Sequence, residues 1–389
     1  MQPIPYGRQS ITQEDVNAVV EVLKSDFLTQ GPVIGKFEAA IAQKSQAKYA
    51  VAVSNATAAL HIACLSLGLQ PGEIVWTSPI SFVASANCAL YCGAEVDFVD
   101  IDPVSYNISV SNLKKKLESA RLSNKLPRIV IPVHLAGTSC DMKAISDLSR
   151  EYGFKIIEDA SHAIGGQYLE NPIGSCKYSD ITVFSFHPVK IITTGEGGMA
   201  LTNDAELFQR MVRLRSHGIT REPAEMSEPP RGDWYYEQQQ LGFNYRLTDI
   251  QAALGLSQLS RLDAFLKRRH EIRNLYETML SGLDLQLPTF DANSYSALHL
   301  YIIRLRTKNP ETDRDRVFKY LRSQGILVNL HYIPIYHQPY YRQFGYNHED
   351  FPESERYYQD AMSIPIFPLL GDDQVAQVCE TIKIALARV

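Results

Sequence analysis

The stretch "DITVFSFHPVKIITTGEGGMALTN", Asp180–Asn203, decides the reading of this chain. "ITVFSF" is β-branched and aromatic and too short for a buried helix, so it predicts a strand covered on both faces. "GMALTN" predicts a second strand. Between them stand Pro188, Lys190 and three glycines, Gly195, Gly197 and Gly198. Proline fixes one backbone angle just ahead of the lysine, and the glycines let the chain turn tightly before it returns. A solvated lysine needs no such frame, whereas a lysine held still against a ligand does. Taken alone, Lys190 is more often a surface charge.

Outward from this stretch the texture alternates. Short apolar runs occur at "YAVAVS", "EIVWTSP", "EVDFVDI", "RIVIPVHL" and "KIIEDA", and helical patterns such as "ATAALHIACLSLGL" and "DMKAISDLSREYG" separate several of them. This predicts an α/β fold with a mostly parallel sheet covered on both faces, whose ligands gather at the carboxyl ends of the strands. Upstream, Thr12 and Asp15 have capping-box spacing for a helix over 12–24, a polar loop spans 25–32, and a second helix ends near Gln46. The pattern from Leu247 to Leu283 predicts one long helix, bent near Gly255 or broken in two. Beyond it come one strand in "LHLYIIRLR", a helix in "DRDRVFKYLRSQG", a strand and loop in "ILVNLHYIP" and a final helix from Asp372. The expected division is a large domain over 1–255 and a smaller α+β domain over 256–389.

A chain of 389 residues, 45% hydrophobic and 21% charged, supports a sizeable core. A net charge of −5 without a basic tract argues against a nucleic-acid partner. No run reaches the roughly 18 apolar residues of a membrane span, and "MQPIPYGRQS" lacks an apolar signal region. The six cysteines show neither CxxC nor zinc-ligand spacing. They read as reduced, mostly buried thiols of a cytoplasmic protein, and no metal is expected.

The chain has no GxGxxG after its first strand, no GxxxxGK[ST], no GxSxG and no HExxH. What remains is a lysine after a late strand, an aspartate ending an earlier one (Asp159 in "KIIED"), and a small-residue turn from strand to helix ("SNATAAL", Ser54–Leu60). Pyridoxal phosphate needs such a trio: an amine for its aldehyde, a carboxylate to keep its pyridine nitrogen protonated, and an anion site. The free amide groups of a helix start bind phosphate. Glu158 and Asp159 are not an acid/base pair, because neighbouring strand residues point to opposite faces. His187, before a proline, reads as fixing a turn, and Glu196 as holding the loop after Lys190. Tyr332 and Tyr336 read equally as substrate contacts or packing aromatics.

The stretches "LTQGP", "SNATAAL", "PISFVASAN", "EDASHAIG", "FSFHPVKIITTGEGG", "RSHGI", "GFNYRLTDIQAALGLSQL" and "HYIPIY" follow one another in order along the chain and carry a resemblance that extends over nearly all of it. In them it resembles the DegT/DnrJ/EryC1/StrS sugar aminotransferases, of the type I pyridoxal phosphate fold. The resemblance implies that Lys190 bonds the cofactor's aldehyde and later moves the proton. It implies that Asp159 pairs with the ring nitrogen, that His162 sits beside the ring, and that Phe82 stacks on its face. Ser185 and the backbone at Ala56–Thr57 would hold the phosphate, and Asn244 would reach it from the neighbouring subunit of a homodimer. Members with histidine in place of the lysine are dehydratases, so Lys190 favours transamination.

Within the family, "SDFLTQGP", "PISFVASAN", "FSFHPVKIITT" and "VNLHYIPIY" resemble the pseudaminic acid pathway branch most. That implies transfer of an amino group from glutamate to the keto group of a UDP-linked 4-keto-6-deoxy-N-acetyl-L-altrosamine. Tyr6, the loop Asp26–Phe27–Leu28–Thr29 and the segment Asn329–Leu330–His331–Tyr332 would line the sugar-nucleotide pocket. The alternative within the class is the D-gluco epimer, on the route to bacillosamine or legionaminic acid. From another class, the rival is a non-catalytic regulatory protein on the same fold, which predicts a broken lysine site or an added DNA-binding segment.

Overall fold

The computed structural model describes residues 3–389. All seven predicted runs form one sheet: β1 (Tyr49–Val53), β2 (Ile74–Thr77), β3 (Glu95–Phe98), β4 (Ile129–Ile131), β5 (Lys155–Asp159), β6 (Ile181–Ser185) and β7 (Gly198–Thr202). Their order is β1-β7-β6-β5-β4-β2-β3. Neighbours from β6 to β3 pair in parallel, while β7 runs antiparallel to both β1 and β6. The exception has a local cause. A parallel return needs a crossover, usually a helix, and the chain between β6 and β7 is the helix-free lysine turn. Every residue of β6 and β7 is buried, as strands covered on both faces require.

The covering helices include α1 (Gln13–Leu23), α2 (Pro32–Ser45), α3 (Ala56–Ser66), α4 (Ala84–Tyr91), α5 (Val110–Leu122), α6 (Met142–Tyr152) and α7 (Ala205–Arg215). Only half of the expected capping box forms at α1. The Asp15 carboxylate accepts the Thr12 N–H at 2.9 Å, while Thr12 Oγ1 has no partner. Asp15 also accepts from Ser257 Oγ at 2.7 Å and Gln258 Nε2 at 2.8 Å. The cap therefore doubles as a tie between the amino-terminal helix and a distant one.

The long pattern from Leu247 breaks at Ser260–Arg261, giving α8 (Asp249–Leu259) and α9 (Leu262–Met279). Gly255 is not a bend. A Cβ there would lie 2.6 Å from the Phe37 ring and from Thr194 Cγ2, so the glycine allows α8 to approach α2 and the lysine turn. Leu262, Phe265 and Leu266 of α9 pack with Phe184 and Phe186. Ile272 and Tyr276 pack instead with Tyr301, Ile303, Val378 and Ile382. Those last four belong to an antiparallel sheet and its helical cover: β8 (Leu285–Gln286), β9 (Tyr301–Leu305) and β10 (Ala361–Ile364), in that order, with α10 (Pro310–Ser323), α11 (Pro352–Asp360) and α12 (Asp372–Leu386) following in the chain. "ILVNLHYIP" is a two-residue strand, Ile326–Leu327, and then a loop.

Arg269 of α9 is 1% exposed, and its Nη1 donates to the carbonyls of Leu298 (3.0 Å), His299 (3.2 Å) and Ile366 (3.0 Å). Burial without a carboxylate lowers its pKa to about 9. Arg269→Met leaves three buried carbonyls without that donor. The expected loss is about 3 kcal/mol of unfolding free energy, read from denaturant midpoints.

The six cysteines form no disulfide, and all but the half-buried Cys92 are buried. No helix among the described residues is long and apolar enough to cross a membrane.

Candidate active site

A cavity of about 870 Å³ opens at the carboxyl ends of β1, β5 and β6. It gathers Ala56, Thr57, Phe82, Asp159, His162, Ser185 and Lys190, together with Tyr6, Asn329, Leu330, His331 and Tyr332. All but two groups of the residues expected at the site therefore meet in one place. Asn244 is exposed and pairs with Ser216. The loop Asp26–Thr29 is exposed as well, pinned where the Leu28 carbonyl accepts the Asp249 N–H at 3.0 Å. Neither is among the residues that line this cavity.

The anion end is built by strand β1 running into α3. Asn55, the N-cap, accepts the Ala58 N–H at 2.8 Å. The N–H groups of Ala56 and Thr57 have no acceptor within the helix and face the cavity with Ser185. A Cβ on Gly198 would lie 2.5 Å from the Asn55 carbonyl carbon and 2.6 Å from the Ala56 nitrogen. That glycine lets β7 press against the helix start. Gly197, by contrast, packs on Thr194 and Leu247 within the turn itself.

Asp159 ends β5 with its side chain almost wholly buried. Oδ2 accepts Ser85 Oγ at 2.6 Å, Ser85 lies 2.7 Å from Ser81 Oγ, and Oδ1 accepts the Ser161 N–H at 3.1 Å. Glu158 points the other way, to His134 Nε2 at 2.7 Å and Ser179 Oγ at 2.5 Å. The strand alternation therefore separates the two carboxylates as expected.

The Lys190 N–H donates to the His187 carbonyl at 2.9 Å, closing a turn with Pro188 at its second position. His187 thus serves through its backbone. Burial lowers the Lys190 pKa from 10.5 to about 8, with the Asp159 carboxylate pulling it back up. At neutral pH the lowering enlarges the fraction of uncharged amine about 300-fold. The rate at which cofactor-free protein captures the aldehyde is expected to rise with pH and level off above about 8. Stopped-flow absorbance across pH checks this, and a rise continuing to 10 would show an ordinary lysine.

His162 Nδ1 accepts the Ala136 N–H at 3.3 Å, so Nε2 holds the proton, 3.1 Å from the Tyr332 hydroxyl. Burial first, then Lys190 and His331, keep its pKa well below the usual range, and the ring is neutral. Phe82 is 58% exposed at the cavity wall, 6.2 Å from the Tyr332 ring, and Tyr6 packs 4.9 Å from His331. The two tyrosines of "HYIPIY" divide. Tyr332 lines the cavity, while Tyr336 is core packing. The Glu196 side chain is exposed at the cavity, and its carbonyl accepts Thr194 Oγ1 and Gln251 Nε2, so the backbone holds the loop. His61, Ser81, Tyr91 and Tyr245 line the cavity without having been anticipated. His61 stands one helical turn after Thr57 and so on its face.

Residues 9–383 match the DegT/DnrJ/EryC1/StrS aminotransferase family. The chain belongs to this family. It is 38% identical over 98% of its length to the spore coat polysaccharide biosynthesis protein SpsC of Bacillus subtilis, 96% of which is covered. It is 36% identical over 93% of its length to a UDP-4-amino-4,6-dideoxy-N-acetyl-beta-L-altrosamine transaminase of Campylobacter jejuni, 92% of which is covered. Among solved structures, Helicobacter pylori PseC, an aminotransferase of pseudaminic acid biosynthesis, superposes with a TM-score of 0.90 at 30% identity over 100% of both chains. The Streptococcus pneumoniae protein Spr1654 in its pyridoxal phosphate form superposes with a TM-score of 0.89 at 26% identity over 99% of both chains.

The protein is accordingly a sugar aminotransferase of the pyridoxal phosphate fold, and its cofactor is pyridoxal phosphate. The cavity fits that group: it offers an amine whose pKa is lowered to about 8, a buried carboxylate and the free N–H groups of a helix start.

Proposed function

We propose that the chain moves an amino group from glutamate to the C4 ketone of a UDP-linked 4-keto-6-deoxy-N-acetyl-L-altrosamine, as a step toward pseudaminic acid. The observation that carries the reading is the meeting of Lys190, Asp159 and the α3 start in one cavity also lined by Tyr6 and Asn329–Tyr332. The likeness to the altrosamine transaminase and to PseC supports the choice of sugar.

When bound, the cofactor supplies an electron sink for a carbon that loses its proton. The residues do the rest. Lys190 Nζ would hold the aldehyde carbon, and as a free amine it would take and return the proton at the substrate carbon. The Asp159 carboxylate, held by Ser85 and Ser161, keeps a proton on the ring nitrogen. The neutral His162 orients Tyr332 from its Nε2. Ser185 and the Ala56 and Thr57 N–H groups hold the phosphate. Asn244 and the exposed loop Asp26–Thr29 act across the interface of a homodimer, in the neighbouring cavity.

The test is incubation of the purified protein with glutamate and each 4-keto epimer, with the amino sugar read by mass spectrometry and NMR. A preference for the L-altro epimer of at least about tenfold in kcat/KM is expected, since a few contacts worth 1–3 kcal/mol each decide such choices. Faster conversion of the D-gluco epimer would move the protein to the alternative route. No amino sugar from either would overturn the substrate assignment.

A further inference from the structure

Away from the cavity, three side chains of metal-binding types converge from three turns of chain. His337 closes the turn Ile335–His337, His348 opens the turn His348–Asp350, and Glu355 lies in the first turn of α11. His337 Nε2 is 2.7 Å from Glu355 Oε1, and His348 Nδ1 is 3.8 Å from the same oxygen. All three ligand atoms lie within 4.8 Å of one another. The two imidazoles stack, with centroids 4.4 Å apart and planes at 28°, so both present a nitrogen toward the carboxylate.

We propose that His337, His348 and Glu355 form a binding site for a divalent transition-metal ion of the zinc type. Two imidazole nitrogens and a carboxylate oxygen are a donor set such borderline ions take. Ligands about 2.0–2.1 Å from zinc at tetrahedral angles lie about 3.3 Å apart, between the 2.7 and 3.8 Å separations seen here. Small side-chain rotations suffice to admit the ion. Binding at His337 Nε2 moves the proton it shares with Glu355 to Nδ1 or to solvent. The Tyr336 hydroxyl donates to Glu355 Oε1 at 2.8 Å, the kind of outer partner that orients a ligating carboxylate. His348 is exposed and the other two half-buried, which leaves an entry path and a fourth position for water. None of the three lines the cofactor cavity, so the ion's role is to tie together the excursion from Ile335 to α11. That excursion is joined to the large sheet's edge by the Ile335 N–H on the Pro79 carbonyl (3.0 Å) and the Ser354 N–H on Asp100 (3.0 Å).

The test uses the pyridoxal phosphate-loaded protein, stripped with a chelator and titrated with zinc chloride alone. Bound zinc per chain is measured after gel filtration, and the melting temperature is followed in parallel. One zinc per chain and a melting temperature that rises with zinc concentration are expected. His348→Ala changes an exposed side chain and should abolish both. Glu355→Gln keeps an acceptor for Tyr336 and should weaken zinc binding at least about tenfold. Absence of bound zinc in the unmodified protein, or equal zinc affinity in it and both variants, would overturn the proposal.

Discussion

Lys190→Ala is expected to lower kcat/KM by about 10³-fold or more, because in the proposed mechanism one side chain supplies both the covalent anchor and the proton carrier. The loss should be chemical and not structural. The Lys190 side chain is half-buried, and the turn that places it is closed by its own backbone N–H on His187. Truncation takes only a longer-range charge from Asp159, whose hydrogen bonds to Ser85 and Ser161 remain, so the melting temperature of the cofactor-free protein should stay within a few degrees of the parent's. The cradle at Ala56, Thr57 and Ser185 remains, so the variant should still take up the cofactor, now removable by dialysis. Retention of activity within about tenfold would assign the proton transfer to another group.

Asp159→Asn is the second large effect. The amide keeps the size of the carboxylate: its oxygen can still accept the Ser161 N–H, and its NH2 can donate to Ser85 Oγ. It cannot hold a positive charge on the ring nitrogen. A fall of about 10²–10³-fold in kcat is expected, the scale of losing one preorganised electrostatic partner in a dry site. Covalent capture by Lys190 should persist. The pair of variants thus separates the two roles: one loses the bond to the cofactor, the other keeps the bond and loses the chemistry. Equal activity of Asp159→Asn and the parent would remove Asp159 from the ring nitrogen.

Much of this site could be read from sequence because its parts are short and lie at strand ends. Asp159 and Ser185 close β5 and β6, Lys190 follows in a turn whose proline and glycines announce it, and the α3 start follows β1. Each is fixed by local chain geometry. What escaped the reading depends on packing between distant segments. Gly255 looked like a hinge and proved to be a place where Phe37 and Thr194 come close. Tyr332 and Tyr336 share a motif, yet only the fold decides that one faces the cavity and the other the core. Ser85, which holds Asp159, comes from a helix that follows a different strand, and no spacing links it to residue 159. His61 was within reach, one helical turn beyond Thr57. The loop Asp26–Thr29 was placed by resemblance, but its position is set by Asp249, more than two hundred residues away, and it does not line the cavity.

Borohydride reduction of the purified protein loaded with pyridoxal phosphate, followed by proteolysis and mass mapping, tests the central assignment most directly. One adduct per chain is expected, on the peptide carrying Lys190, and none on that peptide in Lys190→Ala. An adduct fixed on a different lysine of an active enzyme would contradict it.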